Sequence, residues 1–487
     1  MFRYLALVVA LTGCAKHHAV PPDAGETVDA YVAPPIDACA AGLSCFIVNC
    51  VGMGMPETTI SGTVYAPNGT LPLYGVNVYV PYSDPGALTT GVTCDKCSDM
   101  LPGGAIVQTT TDEAGHFSLA HVPATANVPL VIQSGKWRRQ LTVPTVTACT
   151  DTPMTAVDTT FPKSRTDATP NTALDGNGAP KVDMPYIAVT TGAFDALECL
   201  PYKLGIDPAE ITNDTGGGHV QLFANAGTTN NKGEGAKQFS ATWAGGANAL
   251  FGDAQTLWGT KANLEKFDIV MLSCEGGQYQ ASKPQTAMQA IHDYAGEGGR
   301  IFMSHWHNIW IGGEGLNHNT THGLADWEAL TNWYPDDDET HPTPVATIDE
   351  TVPRGMSFAK WLDNVGASTT HGQIPINDAR YTLDTNVTTN SDRMVWIDPA
   401  AQSAIGYRTS VQDMQFTTPV SAMPEDRCGK VVFSDMHVSS GSTSSPTVAY
   451  PGGCAVDGMG NLAPMTPQEK ALAFIFFDIA SCVGPLQ

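Results

Sequence analysis

Two kinds of strand pattern divide this chain, and they constrain its fold more than any other feature of the sequence. From residue 185 onward, continuous apolar runs alternate with amphipathic helical stretches; the runs are residues 186–189, 220–223, 267–273, 300–303 and 430–434. Strands that are buried on both faces of a parallel sheet produce such continuous runs. We therefore expect residues 185–487 to form an α/β domain with a mostly parallel sheet and helices on both faces.

The last helix of this region has a well-defined predicted start. Thr466 is followed by Pro467 and then by Glu469 three positions on, which is a capping box with proline in the first turn. The helix is predicted to bury one apolar face against the sheet, formed by Leu472, Ile475, Phe476 and Ile479.

Residues 58–150 show the second pattern, in which apolar and polar residues alternate over short segments separated by turn signals such as Asn68-Gly69. This predicts a small β-sandwich, so the protein is expected to be multidomain. Residues 15–57 are Pro-rich and are predicted to form a tether that ends in a cysteine cluster of Cys39, Cys45 and Cys50. Residues 151–184, rich in Thr, Pro, Asp and Asn, are predicted to form a linker.

The charge balance excludes one class of partner. Lys and Arg together number 24 against 48 Asp and Glu, which gives a formal net charge of -24. Such a surface repels phosphate backbones, so nucleic acid is not expected as a partner. Only 15% of the residues are charged, against about 25% in an average domain, and this composition suits a protein outside the cytoplasm.

The N-terminus carries an export signal. Arg3 precedes an apolar stretch at residues 5–11, which ends in Leu11-Thr12-Gly13-Cys14. This ending resembles the lipobox of bacterial lipoproteins, and the resemblance implies that residues 1–14 include the signal peptide and that Cys14 is lipidated. Ala15 after the cysteine favours the outer membrane by the same resemblance, so we expect an envelope protein held to a membrane by its lipid anchor. The alternative is an ordinary secretory signal in which the cysteine is accidental.

Eleven of the twelve cysteines remain when Cys14 is set aside, so at least one thiol should be unpaired. Six lie before residue 150 and five after it, which places the unpaired one most simply in the second group: Cys199, Cys274, Cys428, Cys454 and Cys482. Cys94 and Cys97 form a CxxC motif that we interpret as disulfide-forming rather than as a redox or zinc site. Because a strand begins near Cys428 and the last helix returns to Cys482, these two are predicted to pair.

Residues 58–150 resemble the carboxypeptidase regulatory-like family, a transthyretin-like β-sandwich. The residues that carry the resemblance are 61–64, 73–78, 111–117 and Val122-Pro123. The resemblance implies a non-catalytic module that serves as a spacer or binds a ligand. The insertion at residues 81–107, which contains the CxxC pair, departs from the family pattern.

Residues 185–487 resemble the class I glutamine amidotransferase-like fold, in the branch that includes trehalose-utilisation-like proteins. Residues 268–277, 298–305 and 432–437 carry the resemblance. True amidotransferases place a nucleophilic Cys on the sharp turn after the Gly-Gly strand, whereas this turn reads Ser304-His305-Trp306-His307. The resemblance therefore implies a degenerate member, and glutamine hydrolysis is not expected.

Three groups of residues are candidates for chemistry. The first is catalytic: Cys274 ends a buried strand, Glu275 follows it, and His305 or His437 could act as the base for a thiol nucleophile. The open edge at the carboxyl ends of parallel strands is where such folds bind ligands. The alternative is that Cys274 is disulfide-bonded or only packed.

The second group is a histidine cluster with the spacing of metal ligands: His305, His307, His318 and His322. Asp326, Glu328 and the acidic run at 336–339 could add oxygen ligands, although such runs are usually solvated. The third group is aromatic: Trp306, Trp310, Trp327 and Trp333 could stack on sugar rings. The alternative for these rings is that they pack in the core.

The leading hypothesis is a non-catalytic envelope lipoprotein that binds a polysaccharide or another glycan through residues 304–333. The competing hypothesis is a hydrolase that uses either Cys274 with a histidine or a metal bound by histidines. The missing amidotransferase cysteine ranks binding first. The sequence names no cofactor.

Overall fold

The computed structural model describes residues 42–225, 234–243, 246, 249–312, 321–335, 344–387, 389–402, 407–437, 444–454 and 462–484. The predicted signal peptide with Cys14, residues 15–41 of the predicted tether with Cys39, and His318 lie outside these residues. Residues 42–487 form one compact unit. None of the described helices combines the length and the apolar character that crossing a bilayer requires.

Two sheets are built from the first eight strands. The strands are β1 (Thr59–Thr63), β2 (Asn77–Pro81), β3 (Ala105–Thr110), β4 (His116–Leu119), β5 (Ala126–Ser134), β6 (Trp137–Thr145), β7 (Asp151–Pro153) and β8 (Val182–Asp183). One sheet has the order β4-β1-β7 and the other β3-β2-β5-β6-β8. Ile60 and Leu119 of the first sheet and Val78 and Leu130 of the second belong to the same buried hydrophobic cluster. Strands β7 and β8 lie within the segment predicted to be a linker.

A third, larger sheet takes up all but two of the remaining described strands. The remaining strands are β9 (Ile187–Thr191), β10 (Ile211–Thr212), β11 (Val220–Ala224), β12 (Gly252–Asp253), β13 (Ile269–Leu272), β14 (Arg300–Ser304), β15 (Thr331–Trp333), β16 (Val345–Ile348), β17 (Gln373–Pro375), β18 (Leu383–Asn386), β19 (Asp392–Ile397), β20 (Ser410–Thr418) and β21 (Gly429–Ser434). Its 11 strands follow the order β10-β11-β9-β13-β14-β21-β20-β19-β16-β17, with β12 beside β11. Pairing is parallel from β10 to β21 and antiparallel from β21 to β17. Strands β15 and β18 form a separate antiparallel pair.

Within the described ranges, seven helices connect or cover these strands: α1 (Cys199–Lys203), α2 (Ala254–Trp258), α3 (Lys261–Leu264), α4 (Gln285–Gly296), α5 (Ala325–Glu328), α6 (Pro353–Asn364) and α7 (Pro467–Ala480). The predicted capping box of α7 is confirmed, because Thr466 and Glu469 each accept a hydrogen bond from the other's backbone N–H. Helix α7 packs on β14 and β21 of the large sheet, and its Phe476 ring meets Trp137 of β6 at 6.0 Å. The described chain is therefore mostly β, with several sheets joined through one helix.

The disulfides between described cysteines join distant parts of the chain: Cys50–Cys149, Cys94–Cys428, Cys97–Cys482 and Cys199–Cys454. The predicted Cys428–Cys482 pair is wrong. The insertion between β2 and β3 reaches the large sheet, where Cys97 N–H donates to the Val483 carbonyl at 2.9 Å. Cys428 and Cys482, which were expected to pair with each other, are instead each bonded to one cysteine of the CxxC motif. Among the described cysteines, the free thiol is the buried Cys274, which belongs to the group in which the unpaired cysteine was expected.

Candidate functional site

Three candidate residues meet at one edge of the large sheet. Cys274 lies two residues after β13, His305 directly follows β14, and His437 lies three residues after β21. These strands are neighbours and run parallel, with Leu272 of β13 opposite Met303 of β14 and Ser304 opposite Ser434. Since the carboxyl ends of parallel strands meet at the same edge, this topology alone brings the three side chains together.

The polar atoms of the three side chains converge. Cys274 Sγ lies 3.4 Å from His305 Nδ1, and His305 Nδ1 lies 3.2 Å from His437 Nε2. All three ligand atoms lie within 4.8 Å of one another. The residues are buried, with exposed fractions of 0%, 1% and 3%. We call these three residues the Cys-His-His cluster.

The backbone turns sharply at two places to build this cluster. His305 has a φ of 41°, in the left-handed region that residues other than glycine rarely adopt, and it opens a 3-10 turn that runs to Trp310. Gly276, with a φ of 81°, folds its N–H back to within 3.4 Å of Cys274 Sγ. Backbone strain at such positions occurs where the surrounding structure requires it, often at functional sites.

Asp378 is a fourth member of the site that sequence reasoning missed. His437 Nδ1 donates to Asp378 Oδ2 at 2.8 Å, and Arg380 donates to the other carboxylate oxygen at 2.8 Å. A backbone bridge between Ala379 and Met436 holds the two segments side by side. The Asp378 side chain is 57% exposed, so the buried cluster lies directly beneath the surface at this point. No motif surrounds Asp378 in the sequence.

The charges in this group are strongly coupled. Burial alone would raise the pKa of the Cys274 thiol, but His305 and His437 outweigh it and hold that pKa well below its ordinary value. Burial also opposes the charged form of His437, yet the Cys274 thiolate and the Asp378 carboxylate raise its pKa to about 10. The hydrogen bond from His437 lowers the pKa of Asp378 to about 2. The sulfur is thus favoured as thiolate, the form that binds metals and attacks carbon.

The spacing of the cluster fits a tetrahedral metal ion. With Zn–S of about 2.3 Å and Zn–N of about 2.0 Å, a tetrahedral site places sulfur and nitrogen about 3.5 Å apart and two nitrogens about 3.3 Å apart. The corresponding distances here are 3.4 Å and 3.2 Å. Asp378 behind His437 supplies the second-sphere carboxylate that commonly orients a histidine ligand.

Glu275, predicted to share the catalytic site, does not join this cluster. Its carboxylate is only 2% exposed and forms an ion pair with Lys283 at 2.5 Å. Asn225 donates to its other oxygen at 2.9 Å. Both carboxylate oxygens are therefore bonded to Lys283 and Asn225, and Glu275 stabilises the loop after β13.

Among the residues that the structure describes, the predicted histidine cluster is not brought together. Residues 305–310 form a 3-10 turn and not an extended strand, so His305 and His307 do not point to the same side. His307 Nε2 donates to the Ser273 carbonyl at 2.9 Å, and Trp310 Nε1 donates to His307 Nδ1 at 2.8 Å. Burial holds the pKa of His307 well below its usual range, which fits a neutral ring with both nitrogens in use.

The remaining proposed ligands of that cluster are used elsewhere. His322 Nδ1 contacts Glu328, and His292 Nε2 pairs with Asp326 at 3.0 Å. His318 and the acidic run at 336–339 lie outside the described residues. Of the four predicted histidine ligands, His305 alone reaches the Cys-His-His cluster among those the structure describes.

Two of the four tryptophans predicted to stack on a glycan are in the core. Trp310 and Trp327 are 1% and 0% exposed, so neither presents a ring face to a sugar in solution, and the prediction is wrong for them. Trp327 packs on Phe416 at 5.2 Å. Trp306 and Trp333 are half-buried, and glycan binding through them stays a prediction.

The sequence matches no family model and no curated protein. Two solved structures show a partial likeness, and both are mutant complexes of a type II cohesin with an X-dockerin from Acetivibrio cellulolyticus. The N-terminal interface mutant has 15% identity and a TM-score of 0.16, and the match covers 34% of this chain and 88% of that chain. The C-terminal interface mutant has 16% identity and a TM-score of 0.17, covering 31% and 85%. At these TM-scores the likeness assigns neither fold nor function.

Proposed function

We propose that this protein is a metal-dependent hydrolase in which Cys274, His305 and His437 hold a single zinc-like ion. One observation carries the proposal: the separations of His305 Nδ1 from the sulfur and from His437 Nε2, 3.4 Å and 3.2 Å, are those between ligand atoms of a tetrahedral zinc site. Three protein ligands leave one position for water, as in catalytic zinc sites, whereas structural sites are closed by four.

The chemistry that follows is hydrolysis. An ion held by Cys274, His305 and His437 would lower the pKa of a bound water to about 7 and would supply a hydroxide at neutral pH. Water would thereby add to an electrophilic carbon or phosphorus, the bond to the leaving group would break, and the leaving group would take a proton that the water had released. Asp378 fixes the His437 ring by accepting a hydrogen bond from Nδ1–H, which leaves Nε2 as the atom that would bind the ion.

The scaffold and the location are part of the proposal. We infer that the parallel strands β9–β14 and β21 with their helices are a degenerate amidotransferase-like domain, since the residue at the turn after β14 has the left-handed backbone expected of that position. We also infer an envelope lipoprotein anchored through Cys14, on the basis of the lipobox-like sequence. The first two sheets would then be a spacer of the carboxypeptidase regulatory-like kind.

A second candidate is a thiol hydrolase with Cys274 as nucleophile. It is favoured because Cys274 is the free thiol among the described cysteines and lies 3.4 Å from a histidine. The metal site ranks first because a nucleophile needs only one histidine, whereas two imidazoles converge on this sulfur. Both rank ahead of glycan binding, because two of the four tryptophans are buried.

Metal analysis of the purified chain tests the proposal. After loading with Zn²⁺ and removal of excess ion, we expect one equivalent in the wild type and much less in Cys274→Ser and His437→Ala. His322→Ala is the matched control, because it removes a predicted ligand that lies outside the cluster, and it should retain the metal. A wild type without zinc, or a Cys274→Ser variant that keeps it, contradicts the site.

Cobalt substitution tests whether the site is catalytic without knowledge of the substrate. Co²⁺ bound to a thiolate and two imidazoles absorbs visible light, and azide should change that spectrum by entering the open position. A spectrum that azide leaves unchanged indicates a closed, structural site and refutes the hydrolase. Treatment with a chelator separates the metal hydrolase from the thiol hydrolase. It should abolish ester hydrolysis by a metal enzyme and leave that of a thiol enzyme unchanged. Iodoacetamide would stop hydrolysis by the thiol enzyme.

A further inference from the structure

Gln468 connects the two segments that carry Asp378 and His437. It is the second residue of α7 and is 1% exposed. Its side-chain oxygen accepts from Asn377 N–H at 2.8 Å, and its side-chain nitrogen donates to the Asn377 carbonyl at 3.1 Å and to the His437 carbonyl at 2.6 Å. One buried amide therefore holds the residue before Asp378 and the backbone of His437 at the same time.

The helix that presents Gln468 is itself firmly fixed. The capping box of Thr466 and Glu469 closes its first turn, and Lys203 forms a buried ion pair with Glu469. Apolar residues of the next turns, Leu472 and Ile475, are buried in the core. A side chain at this position is thus held by a rigid element and not by a loop.

The two residues that Gln468 connects need such support. Asp378 has a φ of 56°, a left-handed backbone that costs energy in any residue with a Cβ atom, and its side chain is largely exposed. Its carboxylate is bonded to His437 and Arg380, but these bonds orient the side chain and leave the backbone to be held by its neighbours. The two hydrogen bonds between Gln468 and Asn377 fix the backbone immediately before Asp378. The bond from Gln468 to the His437 carbonyl fixes the segment that carries His437.

We infer that Gln468 is a positioning residue of the Cys-His-His metal site. It sets the separation of Asp378 and His437. It thereby controls the hydrogen bond between His437 Nδ1 and Asp378, and with it the direction of His437 Nε2. The inference rests on the proposed function, since it assigns Gln468 a role at that site. An amide is required because the side chain accepts one hydrogen bond and donates two: glutamate cannot donate, and methionine of similar length offers only a weakly accepting sulfur.

Cobalt binding measured by visible absorption tests this role on the intact chain. Removal of the direct partner of a ligand side chain, here Asp378, typically weakens metal binding about 10- to 100-fold, and Gln468→Met should raise the Kd for Co²⁺ by about 10-fold, the lower end of that range, because it acts through Asp378. Gln468→Glu should also weaken binding, because it loses the donor to the His437 carbonyl. Gln133→Met is the matched control: Gln133 is buried, and its side chain donates to the Gly135 carbonyl at 2.8 Å, distant from the site in sequence and on another sheet.

A double-mutant cycle separates positioning from general stability. If Gln468 acts through Asp378, Asp378→Asn combined with Gln468→Met should bind Co²⁺ no more weakly than Asp378→Asn alone. Additive losses, a Gln468→Met variant with wild-type affinity, or an equal loss in Gln133→Met would each overturn the inference while leaving the metal site intact. A wild type that binds neither Co²⁺ nor Zn²⁺ would overturn the proposed function and this inference with it.

Discussion

Glu198 gives a stability prediction whose size follows from its surroundings. It precedes α1 and is 2% exposed, and Ser444 donates a hydrogen bond to one of its carboxylate oxygens. The other oxygen has no hydrogen-bond partner among the described residues. Burial, with a further contribution from the charge of Asp195, raises the pKa of Glu198 to about 7. The folded protein therefore keeps a proton that the unfolded chain releases near pH 4.5.

The sign and the size of the effect follow from this difference in proton binding. Stability is lost as the pH rises from about 4.5 to about 7, because in that interval the unfolded state binds fewer protons than the folded state. At about 1.4 kcal/mol for each pH unit, the full loss is about 3 kcal/mol. Glu198→Gln keeps the shape and removes the titration, so it should be more stable than the wild type by up to about 3 kcal/mol at pH 8.

Urea unfolding at pH 5 and pH 8 measures this directly, with the free energy of unfolding compared between the wild type and Glu198→Gln. Glu210→Gln is the matched control with the opposite sign. Burial would raise the pKa of Glu210, but hydrogen bonds from His219 and Arg165 lower it to about 2, so its removal should destabilise the protein at both pH values. If Glu198→Gln is no more stable at pH 8, or gains the same amount at pH 5, the reasoning about Glu198 is refuted.

Three further predictions concern the core, the disulfides and the anchor. Trp327→Ala removes a fully buried ring and should cost about 3–5 kcal/mol in urea unfolding; the half-buried Trp306→Ala should cost much less, and equal costs would contradict the packing described. Peptide mapping without reduction should recover the Cys94–Cys428 and Cys97–Cys482 peptides, and a Cys428–Cys482 peptide would contradict this pairing. Cys14→Ser should leave the chain unacylated and in the soluble fraction, whereas a variant that still sediments with membranes argues against the lipid anchor.

The local parts of the large sheet could be predicted from the sequence. Strands β13, β14 and β21 are buried on both faces, and such strands leave continuous apolar runs that are easily recognised. Because Cys274, His305 and His437 each follow one of these runs, the sequence was sufficient to propose them together. The capping box of α7 is equally local, since two side chains three residues apart satisfy each other's backbone.

The parts that depend on distant contacts could not be predicted. Asp378 follows the short strand β17 and reaches His437 only because Ala379 pairs with Met436 across the fold. The disulfide partners are separated by 334 and 385 residues, and cysteine spacing alone does not favour one such pairing over another. The spacing of His305 and His307 did not indicate where their side chains lie. Residues at i and i+2 share a side only in extended backbone, and His305 begins a 3-10 turn.

The two cystines at Cys94 and Cys97 impose an order on the oxidative folding of this chain. Their partners, Cys428 and Cys482, lie 334 and 385 residues further along the chain, so neither native bond can close until most of the chain has been synthesised. If the chain folds in an oxidising compartment, the two neighbouring thiols can form the local 94–97 bond during that interval. Mature protein would then require thiol exchange at this pair, and its yield in an expression host should depend on disulfide isomerase activity more than on oxidase activity.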